Sequence, residues 1–148
     1  MRNIPQAEYD KITASVPIAC VDLFVLHARS RKVLLIRRRL PPCAGEWWFP
    51  GGRILHGETR REAVTRKLRE ECGLVAQDKP AVEVGTYEFI FGPNEKHSIT
   101  TLYEVFVDRD NVVLDDQSSE FEWRTKEAWI LRLKDGWIRR TLQLWSRR

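Results

Sequence analysis

The chain has few cysteines and no long apolar run, and these absences exclude several protein classes. Its three cysteines, Cys20, Cys43 and Cys72, cannot all pair and form no CxxC motif, which argues against a disulfide scaffold or a zinc module and predicts free, buried or half-buried thiols. The longest stretch without charge or proline is far shorter than the ~20 apolar residues that span a membrane. No apolar signal-peptide core follows residues 1–5. We therefore expect a cytoplasmic protein with no membrane partner.

Repeats, low-complexity segments and Pro/Gly/Ser-rich linkers are also absent from the sequence. With 148 residues, of which 43% are hydrophobic and 31% charged, the chain has the size and composition of one globular domain. We therefore predict a single domain over residues 1–148.

The formal net charge is +4, from 25 basic and 21 acidic residues, and the basic residues are unevenly spread. Six of them fall within eleven positions with no acid between: Arg29, Arg31, Lys32, Arg37, Arg38 and Arg39. Such a cluster indicates a polyanionic partner, either nucleic acid or a phosphorylated small molecule. Charge alone leaves both open.

Hydrophobic periodicity predicts helices and strands in mixed order. Helices are expected over residues 6–14, 58–72, 125–133 and 137–145, and strands over residues 18–26, 32–38, 47–49, 81–91, 98–108 and 121–123. Residues 50–52 and 92–94 are expected as turns, the second closing an antiparallel hairpin. This order predicts an α+β fold, an α/β/α sandwich with a mixed sheet between helices.

The strongest chemical signal is the segment from Gly52 to Leu74. On a helix, residues 67, 70 and 71 share one face, so Glu70 and Glu71 place two adjacent carboxylates together. Adjacent carboxylates repel each other unless a cation lies beside them, and Mg²⁺ is a hard ion that takes carboxylate oxygens. A helix rich in Glu and Arg is usually only a solvated surface, but the glycines and Glu58 at fixed offsets favour a metal site.

This segment resembles the Nudix box, G-x5-E-x7-R-E-U-x-E-E-x-G-U, where U is aliphatic. The matching residues are Gly52, Glu58, Arg66, Leu68, Glu70, Glu71, Gly73 and Leu74, and the one departure is Lys67, where the family usually has glutamate. The resemblance implies a Nudix fold and hydrolysis of a nucleoside diphosphate linked to another group, with Mg²⁺, or alternatively Mn²⁺, as cofactor.

Residues outside the box are similar to the GDP-mannose mannosyl hydrolase branch of this family. They are residues 15–18, Asp22, Arg38, Pro42, residues 45–53, residues 115–117 and Trp123. This resemblance implies cleavage at the sugar carbon, with the Gly51 carbonyl, Glu71 and Gln117 holding the metal. It also implies that Arg38 and Arg53 bind the departing diphosphate and that Asp22 binds the sugar or its developing positive charge.

Elementary electrostatics supports these roles. Departure of the diphosphate leaves negative charge that guanidinium groups and Mg²⁺ stabilise. An acid within a buried strand needs a partner, so Asp22 either serves the substrate or forms a structural salt bridge with Arg37 or Arg38. The sequence leaves these two readings of Asp22 open.

Both familiar general bases of the family are missing. Lys67 replaces the glutamate of the box, and Ser118 follows Gln117 where the mannosyl hydrolases have histidine. Serine is a poor proton acceptor near neutral pH. The remaining candidates are Asp116, Glu120, Glu70 and His97.

Three functions therefore follow from the sequence. The first is a Mg²⁺-dependent Nudix hydrolase of a nucleoside diphosphate sugar. The second is a Nudix pyrophosphohydrolase that attacks phosphorus in a nucleoside triphosphate. The third is an inactive nucleotide-sensing or RNA-binding module, which Lys67, Ser118 and the basic cluster favour but the intact carboxylates oppose. Nucleic acid is therefore not the expected partner.

Aromatic residues are expected in the core rather than at a binding surface. Trp47 and Trp48, on a short strand beside a glycine turn, fit core packing. In the C-terminal helix, Trp137, Leu142, Leu144 and Trp145 either pack on the sheet or form a homodimer contact.

Overall fold

A mixed β-sheet organises the chain, and the computed structural model describes residues 4–92 and 96–145 of it. The helices are α1 (Gln6–Thr13), α2 (Arg60–Cys72), α3 (Lys126–Arg132) and α4 (Trp137–Trp145). The strands are β1 (Ile18–His27), β2 (Val33–Arg38), β3 (Trp47–Trp48), β4 (Gly51–Arg53), β5 (Val82–Ile90), β6 (His97–Val107) and β7 (Ser118–Arg124).

The sheet runs in the order β3-β2-β1-β6-β5, while β4 also pairs with β1 and β7 with β2. Strands β1 and β6 are parallel and the other pairs are antiparallel, which makes the sheet mixed. The antiparallel register of β1 and β4 sets Asp22 opposite Gly51. The register of β2 and β7 sets Arg38 opposite Ser118. The pairing thus brings four distant sequence segments to one end of the sheet.

Helix α2 is fixed at both ends by local sequence signals. The Thr59 side chain accepts a hydrogen bond from the Glu62 amide and the Glu62 carboxylate accepts one from the Thr59 amide, so the first turn is satisfied by a reciprocal capping box. Gly73 ends the helix with φ of 64°, a left-handed conformation that favours glycine. The predicted start lies two residues early, because residues 58 and 59 precede the first helical turn.

Apolar clusters cover both faces of the sheet, since successive side chains of a strand point to opposite faces. Val21, Leu23 and Val25 of β1 belong to a cluster that includes the buried side of α2. Phe24 and Leu26 belong to a second cluster with the buried side chains of α3 and α4. The expected α+β sandwich is therefore confirmed.

Two details differ from the sequence-based expectation. Residues 51–53 form strand β4 and not a sharp turn, because their backbone pairs with β1 over Cys20–Asp22. Pro93 and Asn94, expected in the hairpin turn between β5 and β6, lie outside the described residues, while the hairpin itself is confirmed.

The C-terminal helix packs on the sheet as one of the two expected arrangements. Leu142 is fully buried, Trp137 and Trp145 pack half-buried against the second cluster, and Leu144 is exposed. The homodimer contact stays a prediction. Within residues 4–92 and 96–145, no helix combines the length and apolar character needed to cross a bilayer.

Candidate functional site

A cavity of about 660 Å³ opens at the end of the sheet where β4 pairs with β1. The cavity is lined by six residues to which the sequence analysis assigned a role: Asp22, Arg38, Gly51, Arg53, Glu71 and Gln117. Cys20 also lines the cavity, but burial raises the pKa of its thiol to about 12, so the thiol stays protonated near neutral pH. The cavity therefore offers charged and polar groups, not a cysteine nucleophile.

Asp22 lies on β1 inside the cavity and is 7% exposed. Its Oδ2 accepts a hydrogen bond of 3.1 Å from the indole Nε1 of Trp48. Burial raises the pKa of Asp22 to about 7, against the lowering effects of the Trp48 hydrogen bond and the Arg38 charge. Its buried hydrogen-bond partner is thus an indole, in place of the salt bridge with Arg37 or Arg38 that was one of the two readings.

Arg38 and Arg37 are neighbours on β2 with different surroundings. The Arg38 side chain lines the cavity, and its Nε donates to the Pro42 carbonyl at 2.7 Å. The Arg37 Nε donates to the Gly45 carbonyl at 2.9 Å, and its Nη1 lies 3.1 Å from Oε1 of Glu120. Strand alternation therefore gives the cavity one of the two guanidinium groups.

The predicted basic cluster does not form one surface. Of its six members, all within the described part of the chain, Arg38 alone lines the cavity. Arg31 instead places its guanidinium 5.0 Å from the centre of the Phe106 ring. A strand and a turn thus disperse charges that are contiguous in sequence.

Arg53, on β4, lines the same cavity beside two residues that the sequence did not single out. The Tyr9 ring of α1 contacts two cations, with the Arg53 guanidinium 4.7 Å and the Lys96 ammonium 5.3 Å from its centre. All three side chains line the cavity. The cation–π contacts join α1 to β4 and to the start of β6, and only the folded chain brings these segments together.

Glu71 is the deepest carboxylate of α2, with a side chain 7% exposed. Its Oε2 accepts a hydrogen bond of 2.9 Å from the Gly51 amide, and its Oε1 lies 2.6 Å from Nζ of Lys67. Burial raises the pKa of Glu71, while the Lys67 charge and these hydrogen bonds oppose the rise. Both oxygens of this carboxylate therefore have protein partners.

Glu70 is placed differently from Glu71 although the two are adjacent. Its side chain is 50% exposed, and its Oε2 lies 2.9 Å from Nη1 of Arg66 and 3.7 Å from Nζ of Lys67. Glu70 does not line the cavity. The structure thus separates the two carboxylates that the sequence grouped as one metal site.

The cavity holds oxygen donors suited to a hard divalent ion. Glu71 supplies a carboxylate, Gly51 a carbonyl and Gln117 a side-chain amide, all on the cavity lining. Among residues 4–92 and 96–145, no three His, Cys, Asp or Glu side chains converge in a metal-binding group. The residues therefore fit an ion held partly by protein and partly by water or substrate oxygens, as Mg²⁺ usually is.

Glu58 and Arg66, both box residues, form the structural brace of this region. The Glu58 carboxylate is fully buried and lies 2.6 Å from Nε of Arg66. The Arg66 Nη2 also donates to the Arg53 carbonyl at 3.0 Å. This brace ties α2 to the strand that carries Arg53, so Arg66 orients the site without lining the cavity.

The four candidate bases differ in their access to the cavity. Asp116 lines it, beside Gln117. Glu120 pairs with Arg37, and the His97 Nε2 lies 2.8 Å from Oε1 of Glu88. Glu70 pairs with Arg66 outside the lining. Asp116 is therefore the one of these four candidates that the fold places at the site.

Trp47 and Trp48 both pack partly buried against the second cluster, as expected, and Trp48 also forms part of the cavity wall. It is half-buried and lines the cavity together with Phe89 and Phe91, whose rings stack 5.7 Å apart at 14°. Trp47 packs on the buried Trp129 ring at 5.2 Å, and Trp48 stacks on the Trp137 ring at 5.3 Å. Core packing is therefore confirmed for both tryptophans, and Trp48 contributes to the cavity wall in addition.

Comparisons with known proteins give a family and several relatives. A family model described as NUDIX domain matches residues 17–144. The low-salt glycan biosynthesis protein Agl8 of Haloferax volcanii is 35% identical over 126 residues, which cover 81% of this chain and 78% of that protein. An ADP-ribose pyrophosphatase of Methanocaldococcus jannaschii is 31% identical, with 72% of this chain and 61% of that protein covered.

Solved structures share the same architecture. A MutT protein from Methanosarcina mazei superposes with a TM-score of 0.73 and 27% identity, covering 90% of this chain and 96% of that chain. The NUDIX domain of Shewanella oneidensis NrtR, crystallised with ADP ribose, gives a TM-score of 0.72 at 23% identity, covering 97% of both chains. The architecture described above is therefore a recurrent one.

Proposed function

The chain belongs to the NUDIX family, and from this premise we propose that it hydrolyses a nucleoside diphosphate sugar of the GDP-mannose kind with a divalent metal ion. The expected family and fold are confirmed by the family model and the superposed structures. The observation that carries the proposal is the meeting of Arg38, Asp22, Arg53 and Glu71 in one cavity.

The two arginines bind the diphosphate in this proposal. Arg38 and Arg53 lie on strands β2 and β4, which both pair with β1 along the edge opposite β6, and both residues line the cavity together with Asp22. Guanidinium forks match phosphate oxygens and stabilise the charge that develops on a leaving diphosphate. The Pro42 carbonyl holds the Nε of Arg38, which restrains this side chain before substrate arrives.

The metal would be held by Glu71, the Gly51 carbonyl and Gln117, whereas Glu70, grouped with Glu71 in the sequence-based prediction, pairs with Arg66 outside the cavity lining. When bound, Mg²⁺ or Mn²⁺ neutralises negative charge on the diphosphate and supports its departure. The Gly51 amide fixes the Glu71 carboxylate in the cavity by its hydrogen bond of 2.9 Å. This hydrogen bond positions Glu71 as a metal ligand and leaves the carbonyl oxygen of Gly51 available as a second ligand.

Asp22 would face the sugar. The Trp48 indole fixes its carboxyl group, and burial brings the pKa of Asp22 to about 7, so both its charged and neutral forms are accessible near neutral pH. The charged form stabilises positive charge that develops at the sugar carbon, and either form accepts hydrogen bonds from sugar hydroxyls. Asp116 is our candidate for the base that activates water, because it lines the cavity.

The relative from glycan biosynthesis supports a sugar-bearing substrate, since it matches most of both chains. The ADP-ribose pyrophosphatase relative favours a second candidate function, attack of water at phosphorus. The match covers only 61% of that pyrophosphatase. It therefore supports a shared domain more than a shared substrate.

Product analysis separates the two functions. We would incubate the protein with GDP-mannose and GDP-glucose in ¹⁸O-labelled water, with Mg²⁺ or with EDTA. Free sugar together with unlabelled GDP is the expected result, because attack at the sugar carbon places no solvent oxygen on phosphorus, whereas labelled GDP would mean attack at the β-phosphorus. Labelled GMP or labelled sugar phosphate would instead establish attack at phosphorus. No turnover of either sugar nucleotide would contradict the proposal and favour a triphosphate substrate or a nucleotide-sensing module.

Two variants test whether the reaction belongs to this site. Glu71→Gln removes the buried carboxylate and should abolish Mg²⁺-dependent turnover. Glu127→Gln makes the same chemical change at an exposed side chain of α3 and should leave turnover unchanged. Full activity in the Glu71 variant would overturn its role as a metal ligand.

A further inference from the structure

Lys67 is a buried cation inside the carboxylate cluster of α2. Its side chain is 10% exposed, and its Nζ lies 2.6 Å from Oε1 of Glu71. The same ammonium lies 3.7 Å from Oε2 of Glu70. The positive charge that two adjacent carboxylates require is therefore supplied within the protein.

The backbone of β4 is shaped to accommodate this lysine. A Cβ atom on Gly52 would lie 2.9 Å from Cε and 3.2 Å from Nζ of Lys67. The 2.9 Å distance is shorter than packed Cβ atoms show, so a side chain at residue 52 would require the end of Lys67 to shift from its present position beside Glu71. Lys67 also lines the cavity. The ammonium is thus built into the site and does not lie on the solvent surface of the helix.

The contact places Lys67 in competition with a metal at the same carboxylate. One oxygen of Glu71 accepts from the Gly51 amide and the other from Lys67. A divalent ion on Oε1 would share that oxygen with the ammonium or displace it, and an ion on Oε2 of the same carboxylate would still lie close to the ammonium. At such short range the two cations repel each other strongly.

We propose that the Lys67 ammonium is an internal competitor for the divalent cation at Glu71, so that Lys67 lowers the metal affinity of the free protein. It also neutralises the buried Glu71 carboxylate when no metal is bound. The inference rests on the proposed function in one respect, the role of Glu71 as a metal ligand. It concerns metal affinity and not the bond that is cleaved.

Mn²⁺ binding to the protein without nucleotide tests the inference. Free Mn²⁺ is counted by electron paramagnetic resonance during titration of the wild type, of Lys67→Gln and of Lys126→Gln. Lys126 is a matched control, because it is also ion-paired, with Glu127 at 3.5 Å, and its side chain is 17% exposed. We expect Lys67→Gln to bind Mn²⁺ about 10- to 100-fold more tightly than the wild type, and Lys126→Gln to bind like the wild type.

Each outcome has a distinct meaning. Equal affinity in the wild type and Lys67→Gln would overturn the inference and leave the proposed function intact. No binding by any of the three proteins would overturn both the inference and the metal site. Tighter binding by Lys67→Gln together with no hydrolysis of nucleotide sugars would support the inference and contradict the proposed function.

A measurement on the wild type covers the case in which Lys67→Gln does not fold. In protein labelled with ¹⁵N at lysine, the Nζ signal of Lys67 is followed during Mg²⁺ titration. Because Mg²⁺ on either oxygen of Glu71 lies close to the Lys67 ammonium, this signal should shift or broaden while that of Lys126 stays constant. Mg²⁺ binding that leaves the Lys67 signal unchanged would overturn the inference.

Discussion

The indole of Trp48 donates a hydrogen bond of 3.1 Å to the buried carboxyl group of Asp22. The two residues are 26 positions apart, on strands β3 and β1. The contact links the aromatic wall of the cavity to a buried carboxyl group on β1. Burial raises the pKa of Asp22 and the Trp48 hydrogen bond opposes the rise, which leaves the pKa at about 7. We therefore expect the free energy of unfolding to depend on pH through the protonation of Asp22.

Asp22→Asn should remove a pH dependence of stability in the metal-free protein. Between the pKa of the unfolded chain, near 3.8, and the folded value of about 7, the folded state holds a proton on Asp22 that the unfolded state has lost. Stability from this group is full below the unfolded pKa and falls as pH rises to the folded pKa. From about pH 5 to pH 8 the wild type should lose about 3 kcal/mol relative to Asp22→Asn.

Urea denaturation in EDTA across this pH range measures the difference. Trp48→Phe is the companion variant, because loss of the hydrogen bond should raise the pKa of Asp22 further and move the pH dependence upward. Parallel stability curves for the wild type and Asp22→Asn would contradict the prediction.

Arg38→Lys should lower kcat/KM about 10- to 1000-fold on the substrate identified, because an ammonium lacks the planar fork that binds a diphosphate. Arg37→Lys is the matched control on the adjacent residue, whose side chain faces Glu120 away from the cavity. Steady-state kinetics of both variants gives the comparison. Equal effects of the two substitutions would show that the cavity does not bind the diphosphate through Arg38.

Asp116→Asn should lower kcat about 100- to 10,000-fold if Asp116 is the base, because an amide does not accept the proton of water at neutral pH. Binding of GDP, measured by calorimetry, should be nearly unchanged. Asp110→Asn serves as the control, since its carboxyl group lies in the same exposed loop but does not line the cavity. A fully active Asp116 variant would place the base elsewhere.

Glu58→Gln should destabilise the fold by about 3 kcal/mol, because it leaves the Arg66 guanidinium without its buried carboxylate partner. The Glu58 side chain has no exposed surface, and its Oε2 also accepts a hydrogen bond of 2.9 Å from the Leu55 amide. Thermal and urea unfolding measure the loss. Asp135→Asn breaks the exposed pair with Arg140 and should have little effect. A comparable loss of stability in both variants would contradict the stabilising role of the buried Glu58–Arg66 pair.

The sequence by itself determined the elements whose signals are local. The capping box at Thr59 and the left-handed Gly73 fix α2, and strand periodicity predicts β1 and β6. The resemblance of residues 52–74 to the Nudix box indicates the family, because a motif of fixed offsets on one helix and its preceding loop can be recognised without the rest of the fold. The metal and catalytic roles assigned to these residues stay predictions.

The tertiary structure decided the contacts between distant segments. Pairing with β1 turns residues 51–53 into a strand, and packing against β4 buries Glu71 while leaving Glu70 half exposed. The contact of Tyr9 with both Arg53 and Lys96 has no local sequence signal. Helical spacing puts Lys67 and Glu71 on one face, but only packing removes water from their contact and makes the ammonium a competitor for metal. Helices and turns follow from local backbone geometry and capping. The strength of an interaction between two charges depends instead on how far the folded chain excludes solvent from them.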